Sequence, residues 1–192
     1  MSDQDLNSVW EFGVDQAPMI GILAADWLLT LLHSLQELIG KLWCYFGAIR
    51  GVKIPDRFGF AVFFGGLTVL LWAVGFLGIR GAVLFRMEAP FFLGLLIGCR
   101  VSDGIFSHIL PHLKQYRRNP GLTTVPFYFA EALFLSWAFY PALSGHPLGA
   151  VSGFALGTLL FYIILPGLPI LGRLFKFKPQ AKWLRGTPRP SC

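Results

Sequence analysis

Residues 24–41 read Ala-Ala-Asp-Trp-Leu-Leu-Thr-Leu-Leu-His-Ser-Leu-Gln-Glu-Leu-Ile-Gly-Lys, and this stretch decides the fold. It is apolar enough to predict a helix at membrane depth, yet it carries Asp26, His33, Gln36 and Glu37. On an α-helix His33 and Glu37 lie one turn apart on one face, and Asp26 lies two turns earlier along nearly the same stripe. Because a charge in hydrocarbon is costly, we expect these side chains to face a protein interior or a wet cavity.

The composition predicts a polytopic membrane protein. The chain has 192 residues, of which 55% are hydrophobic and 14% charged, and its mean hydropathy is +0.61. An ordinary soluble domain is about 25% charged. The first residues are acidic and lack the basic region of a secretory signal, so no cleaved leader is expected. The net charge of +6 collects beside apolar segments, which favours orientation in the membrane and contact with anionic lipids over nucleic acid.

The hydrophobic pattern predicts an all-α bundle of about five transmembrane helices, over residues 17–46, 58–79, 87–113, 122–143 and 148–171. An acidic arm, 1–16, precedes this transmembrane domain, 17–172, and a basic tail, 173–192, follows it. Twelve Lys and Arg residues fall in the first and third links and the tail, whereas only Arg80 and Arg86 fall in the second link. The positive-inside rule then puts the N-terminus outside and the C-terminus in the cytoplasm. We expect a multi-pass protein of the bacterial inner-membrane type.

Polar side chains recur in the first, third and fourth predicted helices. Those of the later helices are Glu88, Arg100, Asp103, His108, His112 and Glu131. Few could stay unpaired at hydrocarbon depth, so the sequence predicts a shared network or a polar pocket between these helices. Arg100 and Asp103 are three residues apart and either pair on their own helix or support the pocket, and Asp26 lies either in the pocket or at the outer interface.

Histidine and carboxylate together indicate metal or acid–base chemistry. The metal hypothesis uses His33, Glu37, His108 and His112, a set that suits Zn²⁺ or Fe²⁺. The acid–base hypothesis makes His33 and Glu37 the reacting pair and adds His112 and Asp103 as catalytic residues. Substrate-binding or supporting roles are expected for Gln36, Arg100, Glu131 and Asp26. The sequence leaves both hypotheses open.

Three function classes fit this pattern. The first is an isomerase, cyclase or hydrolase that acts on a lipophilic small molecule, such as a lipid or an isoprenoid, within the membrane. The second is a non-catalytic subunit or assembly factor of a larger membrane complex, with histidines that bind a pigment or haem. The third is a small transporter or proton path, although no internal repeat stands out.

Three short motifs resemble the HXXEE-domain family of small integral-membrane proteins. The family shows His-x-x-Glu-Glu, then Asn-Ala-x-x-His, then Arg-x-Tyr-x-Pro-Gly. This chain has His-Ser-Leu-Gln-Glu at 33–37, His-Ile-Leu-Pro-His at 108–112 and Tyr-Arg-Arg-Asn-Pro-Gly at 116–121. Gln36 replaces the first glutamate, and His108 and Ile109 replace Asn-Ala. The resemblance implies a membrane enzyme whose site joins the first and third helices.

Overall fold

The computed structural model describes residues 16–40, 52–53, 57–84, 86–113, 121–174 and 178–179, and the surroundings of side chains at 19–40, 65–84, 86–113 and 121–160. The helices are α1 (Gln16–Ile39), α2 (Arg57–Val83), α3 (Ala89–Ser102), α4 (Leu110–Leu113), α5 (Val125–Ala138), α6 (Tyr140–Gly145) and α7 (Pro147–Leu174). A π-helical segment, Asp103–Ile109, joins α3 to α4. Two-residue strands, β1 (Val52–Lys53) and β2 (Lys178–Pro179), pair antiparallel, with Val52 opposite Pro179. The predicted all-helical class is confirmed.

Three stretches of the described chain are long and apolar enough to cross a membrane: Met19–Ile39, Gly65–Val83 and Ala89–Leu113. Val125–Ala138 and Pro147–Leu160 are shorter apolar helices. The predicted N-terminal arm lies almost entirely outside the described residues, as do the loop 114–120 and most of the basic tail.

The helix predicted over 122–143 is broken near its end. At Phe139 φ is −109° and ψ is 22°, which lies outside the helical region, and α6 begins at the next residue. Pro141 explains the break, because its ring restricts the preceding residues and it has no N–H to donate into the helix. α5 therefore ends after 14 residues.

Neighbouring helices alternate in direction. Along α1 and α2 the contacts run from Trp27 with Trp72 to Ser34 with Thr68, so the two helices are antiparallel. Gly78 and Gly81 of α2 pack against Leu93 and Ala89 of α3, which makes this second pair antiparallel as well. The C-terminal ends of α1 and α3 therefore lie at the same end of the bundle.

α3 is the central helix, and every residue from 93 to 100 is buried. It packs backbone to backbone against α7, because glycines on both helices leave no side chain between them. A Cβ at any of these glycines would strike a carbonyl oxygen of the facing helix. The contacts join Gly94 to Ala150, Gly98 to Phe154, Gly153 to Phe91 and Gly157 to Leu95. Both helices run in the same direction, and this close packing fixes the residues that follow α3 inside the bundle.

Candidate metal centre

The π-helical segment decides which side chains α3 presents to α1. The Leu110 N–H donates to the carbonyl of Ile105, five residues earlier, in place of the usual four. Residues five apart on an α-helix point about 140° away from each other, whereas on a π-helix they are one hydrogen-bonded turn apart. Asp103 and His108 therefore share a face. Pro111 follows in α4, and the helix continues to Leu113.

Two histidines and two carboxylates converge between α1 and the π-helical segment. One ligand atom from each of His33, Glu37, Asp103 and His108 lies within 4.8 Å of the others. His33 Nε2 lies 3.2 Å from Glu37 Oε1, 3.2 Å from Asp103 Oδ2 and 3.2 Å from His108 Nε2. His108 Nε2 lies 3.4 Å from Glu37 Oε1 and 3.9 Å from Asp103 Oδ1. We call these four residues the His–acid cluster.

The His–acid cluster is almost closed to its surroundings. The side chains of His33, Glu37 and His108 are 3%, 6% and 0% exposed, and that of Asp103 is 13% exposed. Asp103 therefore forms the open edge of the cluster.

Thr124 fixes the orientation of the His33 ring. Its Oγ1 lies 2.5 Å from His33 Nδ1, 2.8 Å from the Gly121 carbonyl oxygen and 3.1 Å from Gln36 Oε1. Both oxygens can only accept, so the single hydroxyl proton goes to one of them and Thr124 Oγ1 accepts from the His33 Nδ1–H. In neutral His33 this leaves the Nε2 lone pair directed into the cluster, as in protein metal sites whose second ring nitrogen donates to a neighbour.

Gly121 supports His108 from the turn before α5. Its φ is +91°, a conformation that side-chain-bearing residues rarely adopt. A Cβ at this position would meet the His108 ring, at 3.0 Å from Nδ1 and 3.0 Å from Nε2 and closer still to Cε1. The turn therefore requires glycine for two reasons. Its backbone has a positive φ, and the His108 ring occupies the space that a side chain would need.

A second group of charges lies deeper in the bundle, and we call it the arginine cluster. Arg100 is 1% exposed and its Nη2 lies 2.5 Å from Asp26 Oδ1 on α1. Its Nε lies 2.9 Å from Glu131 Oε2 on α5, and Nη2 also donates to the Thr30 hydroxyl. The expected alternative of an Arg100–Asp103 pair is wrong for the described residues, because Arg100 points to α1 and α5 while Asp103 turns towards His33. Asp26 is 1% exposed and lies inside the bundle, in the arginine cluster.

Tyr128 separates the two clusters. Its ring centroid lies 4.4 Å from that of His33 on one side and 4.5 Å from Arg100 Cζ on the other, and the residue is 2% exposed. An arginine over an aromatic face is an attractive cation–π arrangement. Tyr128 thus closes the inner wall of the His–acid cluster.

The structure distributes the predicted site residues unevenly. It brings His33, Glu37, Asp103 and His108 together, with Gln36 at the rim, where its Nε2 donates to the Thr123 hydroxyl. It gathers Asp26, Arg100 and Glu131 into the arginine cluster. It leaves His112 exposed on α4, outside both clusters. Sequence reasoning missed Thr30, Thr124 and Tyr128, since hydroxyl and aromatic residues are common in apolar helices and carry no signal of their own.

The distances within the His–acid cluster fit a tetrahedral metal site. With ligands at about 2.0–2.1 Å from Zn²⁺, the edge of the tetrahedron is about 3.3–3.4 Å. The contacts among His33, Glu37 and His108 are 3.2, 3.2 and 3.4 Å. The same contacts lie at or beyond the long end of the 2.7–3.2 Å range of N–H···O hydrogen bonds. Two carboxylates also supply the charge that neutralises a divalent cation.

Comparisons with protein-family models, with curated proteins and with solved structures find no match to this chain.

Proposed function

We propose that this protein is a metal-dependent integral-membrane enzyme that binds Zn²⁺ or Fe²⁺ in the His–acid cluster and acts on a lipophilic substrate. The observation that carries the proposal is the set of three near-equal contacts among His33 Nε2, His108 Nε2 and Glu37 Oε1. Two imidazoles and one carboxylate form a common catalytic donor set, and they leave a coordination position open.

Asp103 differs from the other three residues and has a different role in this proposal. Glu37 turns one oxygen, Oε1, to both histidines, whereas Asp103 turns Oδ2 to His33 and Oδ1 to His108. Its contact with His108 is the longest of the set, and it is the most exposed member. We assign it as the general base at the open position, within reach of a water or substrate proton.

The main rivals fit this geometry less well. Metal-free acid–base catalysis would use the same four residues, but their contacts of 3.2–3.4 Å lie at or beyond the long end of the 2.7–3.2 Å range for proton donors and acceptors. A macrocyclic pigment or haem between the histidines conflicts with their 3.2 Å separation. A proton path is compatible with buried acids, yet Tyr128 stands between the two clusters.

The proposal includes five spans of a membrane of the bacterial inner-membrane type. The N-terminus lies outside and the C-terminus lies in the cytoplasm. The alternating directions of α1, α2 and α3 support it, as does the parallel packing of α3 and α7, which lie two spans apart. The basic residues of the first and third links then lie on the side where α1 and α3 end. The HXXEE resemblance belongs to the same proposal, since its first two motifs contain His33, Glu37 and His108.

Elemental analysis of the protein purified in mild detergent tests the metal. We expect close to one Zn or Fe per chain in the unmodified protein and in His112→Ala. We expect a loss of at least tenfold in His33→Ala and His108→Ala, because each removes a nitrogen ligand. His112 is the matched control, since it is a histidine four residues after His108 that lies outside the cluster.

Two results would contradict the proposal. One is an unmodified protein that carries no metal after purification and takes up none on dialysis against Zn²⁺ or Fe²⁺. The other is metal that stays bound in His33→Ala and in His108→Ala. Circular dichroism and gel filtration of each variant identify any loss that comes from misfolding.

A further inference from the structure

The arginine cluster contains more acidic than basic side chains. Asp26 of α1 and Glu131 of α5 both lie against Arg100 of α3, and the side chains of these residues are 1%, 10% and 1% exposed. If both acids were ionised, one guanidinium would face two carboxylates, and the cluster would keep one uncompensated negative charge. A buried charge without a partner is among the least favourable arrangements in a protein interior. The cluster therefore requires one further positive charge.

The described residues packed around the two acids do not supply this charge. α5 adds Tyr128, whose ring faces Arg100, and α1 adds the Thr30 hydroxyl, which accepts from Arg100 Nη2. α2 faces Asp26 with the backbone of Gly75, where an added Cβ would lie 2.5 Å from Asp26 Oδ2. None of Tyr128, Thr30 and Gly75 is a cation. A metal cation at the same place would be repelled by Arg100.

The carboxyl oxygens of the cluster also lack hydrogen-bond donors. Asp26 Oδ1 accepts from Arg100 Nη2, but Asp26 Oδ2 and both oxygens of Glu131 are buried and accept from no donor among the described residues. Glu131 Oε2 lies 2.9 Å from Arg100 Nε without a hydrogen bond between them. The two carboxyl groups lie within hydrogen-bond reach of each other. Two carboxylates repel at this distance, whereas a carboxylic acid donates its O–H to a carboxylate.

We propose that Asp26 and Glu131 bind one proton between them, so that the arginine cluster is a proton-binding site with no net charge. Glu131 carries the proton and donates to Asp26, because Asp26 is the acid that accepts a hydrogen bond from the Arg100 guanidinium. The proton supplies both the missing charge and the missing donor, and it needs no coordination space. The site does not depend on a metal in the His–acid cluster, since Tyr128 lies between the two clusters.

Infrared spectroscopy of the detergent-purified protein tests for the bound proton. The C=O stretch of a protonated carboxyl group is separate from the bands of carboxylates, and it shifts in D₂O. At about pH 7, where an ordinary glutamate is ionised, we expect this band in the unmodified protein. We expect its loss in Glu131→Gln and also in Asp26→Asn, because the one remaining acid stays ionised beside Arg100. Glu88→Gln replaces an exposed acid outside the cluster, so this matched control should keep the band.

Thermal unfolding provides a second measurement. In Glu131→Gln the amide can donate to Asp26 as the acid does, and in Asp26→Asn the remaining Glu131 pairs with Arg100, so each should unfold within about 3 °C of the unmodified protein. The double variant leaves Arg100 without a carboxylate and should unfold at least about 10 °C lower. The folded protein holds a proton that the unfolded chain releases near neutral pH. The unfolding temperature of the unmodified protein should therefore fall more steeply with rising pH than that of Glu131→Gln.

Four results would overturn the inference. The first needs no variant: an unmodified protein without a protonated carboxyl band has both acids ionised. The second is a band that persists in both single variants, since it then belongs to another carboxyl group. The third is a single variant that unfolds as low as the double variant, and the fourth is an equal pH dependence of unfolding in the unmodified protein and Glu131→Gln. None of these results concerns the metal, which elemental analysis tests separately.

Discussion

Gly121→Ala tests whether the turn before α5 supports the His–acid cluster. The new Cβ would be 3.0 Å from both nitrogens of His108, a residue that is 0% exposed. The φ of +91° adds a backbone penalty. A side chain in the left-handed region costs about 1–2 kcal/mol and overpacking about 1–3 kcal/mol, so we expect a destabilisation of about 2–5 kcal/mol.

Metal affinity reports this change more directly than stability does. Because Gly121 backs the His108 ring, displacement of the ring should weaken zinc binding by about 10–100-fold, the range seen when outer-shell support of a ligand is lost. The assay is competition between the detergent-purified protein and a chelator of known affinity, followed by its absorbance. Thermal unfolding of the same samples gives the loss of stability.

Two further variants separate the backbone effect from the contact. Gly145→Ala meets nothing within 4 Å and should leave zinc affinity within about threefold of the unmodified protein. Gly121→Asn tolerates positive φ better than alanine does but meets the same ring. If the contact with His108 decides affinity, Asn and Ala lose zinc binding alike, whereas unmodified affinity in Gly121→Ala would refute the reasoning.

Three other substitutions probe the bundle and the site. Asp103→Asn should keep zinc, by elemental analysis, yet lose about 100-fold or more in turnover, because an amide cannot act as a base. Gly75→Ala places a Cβ 2.5 Å from Asp26 Oδ2, so it should lower stability by about 1–3 kcal/mol in denaturant unfolding while zinc content is unchanged. Gly153→Ala drives a Cβ into the Phe91 carbonyl, and it should push α7 away from α3 and lower the unfolding temperature in a thermal scan.

Gly66→Ala is the common control for the two glycine variants of the bundle, since a Cβ there meets nothing within 4 Å. Stability equal to that of the control in either variant would mean that the helices accommodate a methyl group without cost. Loss of zinc from Asp103→Asn would make Asp103 a ligand and the site a closed, structural one.

The sequence predicted the helical class because each apolar run is long and its breaks contain Pro, Gly and basic residues. Its helix ends were less accurate where proline acts through neighbouring residues, as the break at Phe139 shows. The π-helical segment Asp103–Ile109 was not predicted. One extra residue in a helical turn leaves composition and hydropathy unchanged, so a pattern built on 3.6 residues per turn cannot detect it.

The extra residue in the π-helical turn also explains why the predicted site contained the wrong partner for His108. On the regular helix α1 the four-residue spacing of His33 and Glu37 brought both into the cluster as expected. On the third helix the metal hypothesis took His112, four residues after His108, whereas the five-residue spacing of the π-helix pairs His108 with Asp103. Thr124 was missed for another reason: its role arises from a contact across 91 residues of chain, which no local pattern encodes.

The two clusters differ in the positive charge that balances their carboxylates, and this difference suggests how the site is held in place. The arginine cluster carries its own cation, and Arg100 ties Asp26 of α1 to Glu131 of α5 while lying on α3 itself. These ties fix the axial positions of the three helices about 10 Å, or two turns, from the His–acid cluster. The His–acid cluster has two carboxylates and no permanent cation of its own among the described residues, so its charge balance depends on a metal ion or protons. Because the arginine cluster holds the three helices in place without a metal ion, the ligands of the His–acid cluster are already in position before a metal binds. Catalytic metal sites require this arrangement.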